Sequence, residues 1–190
     1  YLWGNRIEAD EPTVWERLVQ ARKNLESGAG FPTEPDIIVR VPGRALLLIE
    51  AKFGAANSTL LGKEERFESV DEFLDRYPPP PGCADPLNRE WIGRQTSGQV
   101  LEQLCRNAIF ATWLADKGER LFVANLVCST MASDIETRFG RHLAADSPVT
   151  FRRLTWESFH AVFASHGREA EPIANYLARK SLGLRKAFEL

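Results

Sequence analysis

The sequence predicts one α/β domain in which helices flank a mixed central sheet. The chain has 190 residues, the length of an ordinary domain, and a globular composition of 44% hydrophobic and 26% charged residues. Apolar runs of strand length alternate with stretches of helical period, as in α/β proteins. The longest apolar run, residues 45–49, is much shorter than the roughly 18 residues that span a membrane, so we expect no membrane partner.

The first elements follow from local signals. The capping-box pattern of residues 13–16 starts a helix, and the glycine-containing residues 27–30 end it. Two extended runs follow, residues 36–41 and 45–52, separated by Pro42-Gly43-Arg44. This order predicts a helix and then a β-hairpin.

We take residues 1–190 as a single domain. After the hairpin, its hydrophobic pattern alternates between the helical period of 3.6 residues and apolar runs of strand length. Residues 54–94 are expected to be an insertion, because a short helix capped at Ser69 runs into four successive prolines. The later elements are predicted as a helix at 96–116, a strand at 120–128, a helix at 131–144, a strand at 149–154, a helix at 155–165 and a helix from 172.

Two charged residues end the second strand of the hairpin. Glu50 and Lys52 lie two positions apart, so they project from the same face. The residues before them, 47–49, are apolar and favour burial. Because charged side chains are costly to bury unless they are paired, their presence here indicates a functional site.

The length of the hairpin loop decides whether Asp36 joins this pair. A two-residue turn would place Asp36 opposite Ile49, whereas a three-residue loop places it opposite Glu50. Opposed Cβ atoms lie about 4.5–5.5 Å apart, and two carboxylates that close repel each other unless a cation bridges them. Mg²⁺ prefers such oxygen ligands, and Lys52 could then act on a water molecule.

The motif Pro35-Asp36 … Glu50-Ala51-Lys52 resembles that of the PD-(D/E)XK nuclease superfamily, whose fold is restriction-endonuclease-like. The resemblance implies a mixed central sheet flanked by helices over roughly residues 10–155. It also implies that Asp36, Glu50 and the Ala51 carbonyl bind Mg²⁺ or Mn²⁺, and that Lys52 serves the attacking water.

The long helix predicted after the insertion would align Gln95, Gln99, Gln103 and Arg106 within about 80° of its surface. One interpretation is a solvated helix face. The other is a polar stripe that lines the cleft and resembles the Q-x-x-R helix of the superfamily, with Gln99 and Gln103 catalytic and Arg106 in contact with nucleic acid. Both interpretations stay open at this point.

The superfamily often adds an acidic ligand from its first helix. We select Glu11, although acids at a helix start are also favoured by the helix dipole alone. The candidates are Glu8, Asp10, Glu11 and Glu16.

Basic residues in the last helix are candidate contacts to nucleic acid phosphates. Lys180 and Arg185 are the two selected, and a solvated helix end is the alternative. The net charge of −2 excludes binding of nucleic acid by bulk electrostatics.

The sequence therefore predicts a Mg²⁺- or Mn²⁺-dependent nuclease that acts on DNA, with RNA left open. The alternative is a catalytically inactive nuclease-derived module that binds DNA or a partner protein, and a homodimer also stays open. The three cysteines, Cys83, Cys105 and Cys128, lack the spacing of a disulfide framework or zinc site, which favours a reducing, cytoplasmic location.

Overall fold

A computed structural model describes residues 14–26, 35–52 and 69–182 of the chain, without the side chains of residues 180 and 181. In chain order the elements are α1 (Val14–Leu25), β1 (Ile37–Val41), β2 (Ala45–Ala51), α2 (Val70–Arg76), α3 (Arg89–Gly93), a 3₁₀ helix (Ser97–Gln99), α4 (Glu102–Leu114), β3 (Arg120–Val127), α5 (Ile135–Gly140), β4 (Val149–Thr155), α6 (Trp156–Ser165), α7 (Glu171–Tyr176) and a π-helical turn (Leu177–Ser181).

The four strands form one mixed sheet in the order β1-β2-β3-β4. β1 and β2 are antiparallel, whereas β2, β3 and β4 are parallel to one another. Parallel neighbours need a crossover, and the segment containing α4 and the segment containing α5 supply the two crossovers. The predicted α/β class, with a mixed sheet and helices, is confirmed.

The β1–β2 hairpin closes through a three-residue loop. Val41 pairs with Ala45, and the Arg44 N–H donates to the Val41 carbonyl at 2.9 Å. Pro42 fits the second position of this turn, and Gly43 has a φ of +67°, a conformation that glycine adopts without strain. Of the two loop lengths considered, the structure therefore has the three-residue one.

The sheet separates two apolar clusters. On one face, Leu48 and Val123 pack in a core that includes residues of α1, α4 and α5. On the other face, Ile49 and Leu126 pack with Trp156 of α6. Within the three described ranges, the helices are all too short or too polar to cross a membrane.

The described part of the predicted insertion, residues 69–94, packs into the main core. Ser69 caps α2, as expected, by accepting from the Glu72 N–H at 3.1 Å. Tyr77, at the end of α2, is buried, and Arg89 donates to its carbonyl at 2.6 Å. The first part of the predicted insertion lies outside the described residues.

The predicted single helix over residues 96–116 is wrong, because the chain leaves the helical conformation at Val100 and Leu101. Both of these side chains are buried in the core. The Leu101 N–H donates to Nε2 of His142 at 3.3 Å, and His142 is itself buried against Trp91. Distant contacts therefore override the helical propensity of this segment.

His142 makes the stability of the fold depend on pH. Burial holds the pKa of His142 below its ordinary value of 6.5, so the folded protein keeps the ring neutral. The stability due to this neutral ring is complete above pH 6.5 and is lost as the pH falls toward the folded pKa. We expect His142→Gln to lower the free energy of unfolding by about 1–2 kcal/mol at pH 7.5, because it weakens the hydrogen bond from the Leu101 N–H and removes the ring contact with Trp91. The loss should be smaller at pH 5, because the wild-type protein has by then lost part of the stability due to the neutral ring.

Urea unfolding of both proteins at pH 7.5 and pH 5 measures this difference. An equal loss at the two pH values would contradict the titration of His142.

Candidate active site at the end of the hairpin

Asp36 and Glu50 lie near each other at the end of the hairpin. The ladder is paired through Ile37 and Ile49, and Asp36 precedes it in a bend of the chain. Asp36 Oδ2 accepts from the N–H of Ala51, the residue after Glu50, and the charge of Asp36 is one of the causes that raise the pKa of Glu50. The three-residue loop thus brings the two carboxylates to the same end of the hairpin, with Asp36 itself beyond the paired residues.

Lys52 compensates the charge of Glu50. Its Nζ lies 2.7 Å from Glu50 Oε1, and only 15% of the Lys52 side chain and 7% of the Glu50 side chain are exposed. Burial is the largest cause that raises the pKa of Glu50, and the hydrogen bond and charge of Lys52 oppose it. Glu50 and Lys52 thus form a largely buried ion pair.

Helix α4 supplies two carboxamides to this pair. Gln103 Oε1 accepts from Lys52 Nζ at 2.9 Å, and Asn107 Nδ2 donates to Glu50 Oε2 at 3.4 Å, a long hydrogen bond. The two residues lie four positions apart, so they share one face of the helix. Asn107 is a site residue that sequence reasoning missed, although its spacing from Gln103 is a detectable signal.

Strand β3 adds a third carboxamide, that of Asn125. Asn125 is the register partner of Glu50, and its Nδ2 donates to the Glu50 backbone carbonyl at 3.1 Å. The side chain is completely buried. Sequence reasoning missed this residue too, and its signal is a polar side chain in the apolar run of residues 121–127.

The backbone of Ala51 faces Asp36. The Ala51 N–H donates to Asp36 Oδ2 at 2.7 Å, whereas the Lys52 N–H donates to the Leu126 carbonyl of β3 at 2.7 Å. Because successive residues of a strand direct their peptide groups to opposite neighbours, both the N–H and the carbonyl of Ala51 point toward the β1 side of the sheet.

Gln99 does not lie where the sequence predicted. Its Oε1 accepts from the N–H of Thr96 at 3.1 Å and from the Thr96 hydroxyl at 3.0 Å, which caps the 3₁₀ helix. Gln99 and Gln103 do not share a helix face, because the helix between them is interrupted. Of the predicted glutamines in the site, Gln103 is the one that contacts Lys52.

Arg106 lies in a different buried cluster. Its guanidinium is 3.3 Å from Glu102 Oε1 and 3.8 Å from Glu26 Oε1, and its side chain is only 8% exposed. The Tyr77 hydroxyl donates to the same Glu26 oxygen at 2.6 Å. Arg106 therefore balances buried carboxylates between α1 and α4, and its predicted position on a surface that contacts nucleic acid is wrong.

Three further predicted residues have no described side chain. Glu11 and Arg185 lie outside the described residues, and Lys180 is described only by its backbone in the π-helical turn.

The end of the hairpin presents oxygen ligands of the kind that hard divalent cations prefer. They are the carboxylates of Asp36 and Glu50 and the carbonyl of Ala51. The part of the chain that the structure describes holds no cluster of three or more His, Cys, Asp or Glu side chains suited to a metal. Two carboxylates are nevertheless an ordinary protein contribution to Mg²⁺, because water and substrate phosphate complete its coordination. The ligand types therefore fit Mg²⁺ or Mn²⁺.

Removal of the Lys52 ammonium should destabilise the fold. We expect Lys52→Met to lower the free energy of unfolding by about 3 kcal/mol at pH 7.5, because it leaves a buried carboxylate unpaired. Without Lys52 the pKa of Glu50 rises further, so the variant loses stability as the pH rises through 4.5, the ordinary value for Glu. The deficit should therefore shrink at pH 4.5.

Chemical denaturation at both pH values checks this, with Arg94→Met as the matched control. Arg94 pairs with Glu90, and both side chains are more than 70% exposed, so the control should change stability little. An equally small effect of Lys52→Met would contradict the buried ion pair.

Comparison of the chain with protein-family models, with curated proteins and with solved structures found no match.

Proposed function

We propose that the protein is a metal-dependent nuclease of the restriction-endonuclease-like class that hydrolyses phosphodiester bonds in DNA. The observation that carries the proposal is the convergence of Asp36, Glu50 and Lys52 at one end of the hairpin. This is the arrangement that the resemblance to the PD-(D/E)XK superfamily implies.

The oxygen ligands give the site its proposed cofactor. Asp36, Glu50 and the Ala51 carbonyl would hold Mg²⁺ or Mn²⁺. When bound, the ion would polarise a phosphate oxygen and lower the pKa of a water molecule. Glu50 is fixed by its buried surroundings, whereas Asp36 is exposed, so the site has one rigid and one accessible carboxylate.

Lys52 is the proposed catalytic cation. Its ammonium carries positive charge to the place where the phosphate gains negative charge during hydrolysis. The Gln103 carbonyl oxygen accepts one of the three Lys52 donors and so orients the ammonium. Glu50 takes a second donor, so the third would contact the attacking water.

The ion pair itself favours a second candidate function. Lys52 neutralises Glu50 within the protein, so the cluster is satisfied by internal contacts. A catalytically inactive module that binds DNA or a partner protein would retain such a cluster for stability alone. For both candidate functions we propose a cytoplasmic location, because the three cysteines lack the spacing of a disulfide framework.

Cleavage assays separate these candidates. We expect the wild-type protein to cut supercoiled or linear DNA with Mg²⁺ or Mn²⁺ and to be inactive in EDTA. Lys52→Met should lower the rate by at least about 100-fold, since it removes the group that acts on the water. Cleavage assays check this at a temperature where circular dichroism shows the variant to be folded. Arg94→Met is the control that should remain active.

Parallel reactions with RNA in place of DNA show which of the two nucleic acids is the substrate. The absence of cleavage of either nucleic acid with both ions would support the inactive module.

Thermal unfolding tests the cation site without any substrate. Mg²⁺ should raise the melting temperature of the wild-type protein, because it binds only the folded state. Asp36→Asn should lose this response and leave the metal-free stability within about 0.5 kcal/mol of wild type. The amide oxygen can still accept from the Ala51 N–H, and the repulsion with Glu50 is gone.

Asp134→Asn is the matched control, because Asp134 is exposed and lies at the start of α5. Two results together would favour a purely structural role for the Asp36 carboxylate. They are a wild-type melting temperature that Mg²⁺ does not change and a lower metal-free stability of Asp36→Asn.

A further inference from the structure

Lys52 is held through its backbone as well as through its ammonium. Its N–H donates to the Leu126 carbonyl of β3 at 2.7 Å, and its carbonyl accepts from the indole N–H of Trp156 at 3.1 Å. The neighbouring strand therefore fixes one side of the Lys52 backbone, and the first residue of α6 fixes the other. The indole comes from a position 104 residues later in the sequence.

The two faces of the sheet contribute differently to Lys52. The Lys52 ammonium lies on the α4 face, where it contacts Gln103 and Glu50. Trp156 lies on the opposite face, where it packs in the same apolar cluster as Leu126. The indole therefore holds the Lys52 backbone from one face of the sheet, and the ammonium is directed to the other face, where the carboxylate of Glu50 lies.

Trp156 is itself firmly placed. It directly follows β4, whose last residue, Thr155, pairs with Val127 of β3. The Thr155 hydroxyl accepts from the Ser158 N–H at 3.1 Å and caps α6. Only 5% of Trp156 is exposed, and its ring packs edge-on against Phe159. Because tryptophan combines a large apolar body with an N–H donor, it can pack in this core and still bind a carbonyl.

We propose that Trp156 is a positioning residue for Lys52. Its indole N–H fixes the backbone from which the Lys52 side chain extends, and Gln103 orients the ammonium at the other end of that side chain. This role rests on the proposed function, which makes Lys52 the catalytic cation. It connects α6, on the face of the sheet away from the ammonium, to the rate of cleavage.

The same hydrogen bond also has an ordinary explanation, since a buried indole N–H needs an acceptor. In that case its removal lowers stability and leaves the chemistry of the folded protein unaltered. If the bond positions Lys52, its removal also slows cleavage by the folded protein, because a displacement of about 1 Å can lower a rate about 100-fold.

Two replacements of Trp156 test this role, Trp156→Phe and the substitution of 3-benzothienylalanine at the same position. Both lack the N–H, and the second keeps the size of the indole because sulfur takes the place of the N–H group. The same two replacements at Trp113 are the matched controls. The Trp113 indole N–H also donates to a backbone carbonyl, that of Pro78 at 3.0 Å, about three turns along α4 from Gln103.

We expect both replacements at position 156 to lower kcat for DNA cleavage about tenfold, since they affect the placement of a group that acts in the transition state. KM and the Mg²⁺ concentration that gives half the maximal rate should change little. The replacements at position 113 should leave kcat within about twofold of wild type. Each variant is assayed at a temperature where circular dichroism shows it to be folded.

The Lys52 ammonium gives a readout that does not depend on activity. In ¹H–¹⁵N spectra of the wild-type protein its protons should exchange slowly with solvent, because Glu50 and Gln103 hold it. The absence of this signal in Lys52→Met assigns it. Replacement of the Trp156 indole should make the exchange several-fold faster, since a looser backbone lets the ammonium leave its partners.

Three results would each overturn the positioning role and leave the proposed function standing. They are an unchanged kcat in the folded position-156 variants, an equal fall of kcat in the position-113 variants, and an unchanged exchange of the Lys52 ammonium. A wild-type protein that cleaves neither DNA nor RNA with either ion would instead overturn the proposed function, and the role of Trp156 in catalysis with it.

Discussion

The site depends on the register of the β1–β2 hairpin. The three-residue loop pairs Val41 with Ala45, and every later pair follows from that one, out to Ile37 and Ile49, next to which Asp36 and Glu50 lie. Side chains alternate between the faces of a strand, so a shift of one residue would move Asp36 to the opposite face. A turn at one end of the hairpin thus decides which charges meet at the other end.

The second constraint is the cost of charge in a buried place. Glu50 is tolerated because Lys52 and Asn107 contact its two carboxylate oxygens. Helix α4 repeats this solution on an adjacent side, where Arg106 lies between the carboxylates of Glu102 and Glu26. Buried charges are stable when their partners are buried with them. This explains how a helix in the middle of the core carries so many polar residues.

The residues of the candidate site differ in how far the sequence predicted them. Asp36, Glu50 and Lys52 were predictable, because strand alternation and loop length are local properties. Asn107 was missed although it lies one helical turn after Gln103. Asn125 was missed because its relation to Glu50 depends on the pairing of two strands that lie 75 positions apart in sequence. Parallel pairing of that kind has no local sequence signal.

The sequence by itself determined the α/β class, the order of the main elements, the existence of the hairpin and the helix starts at Ser69 and Thr155, where a hydroxyl accepts from a nearby N–H. Tertiary structure alone decided the interruption before α4 and the burial of Arg106. The Leu101 N–H bonds to His142, 41 residues away, and Arg106 faces Glu26, which directly follows α1 far earlier in the chain. Helical period predicts which residues can share a face, but packing between distant segments decides whether the helix continues and what its face contacts.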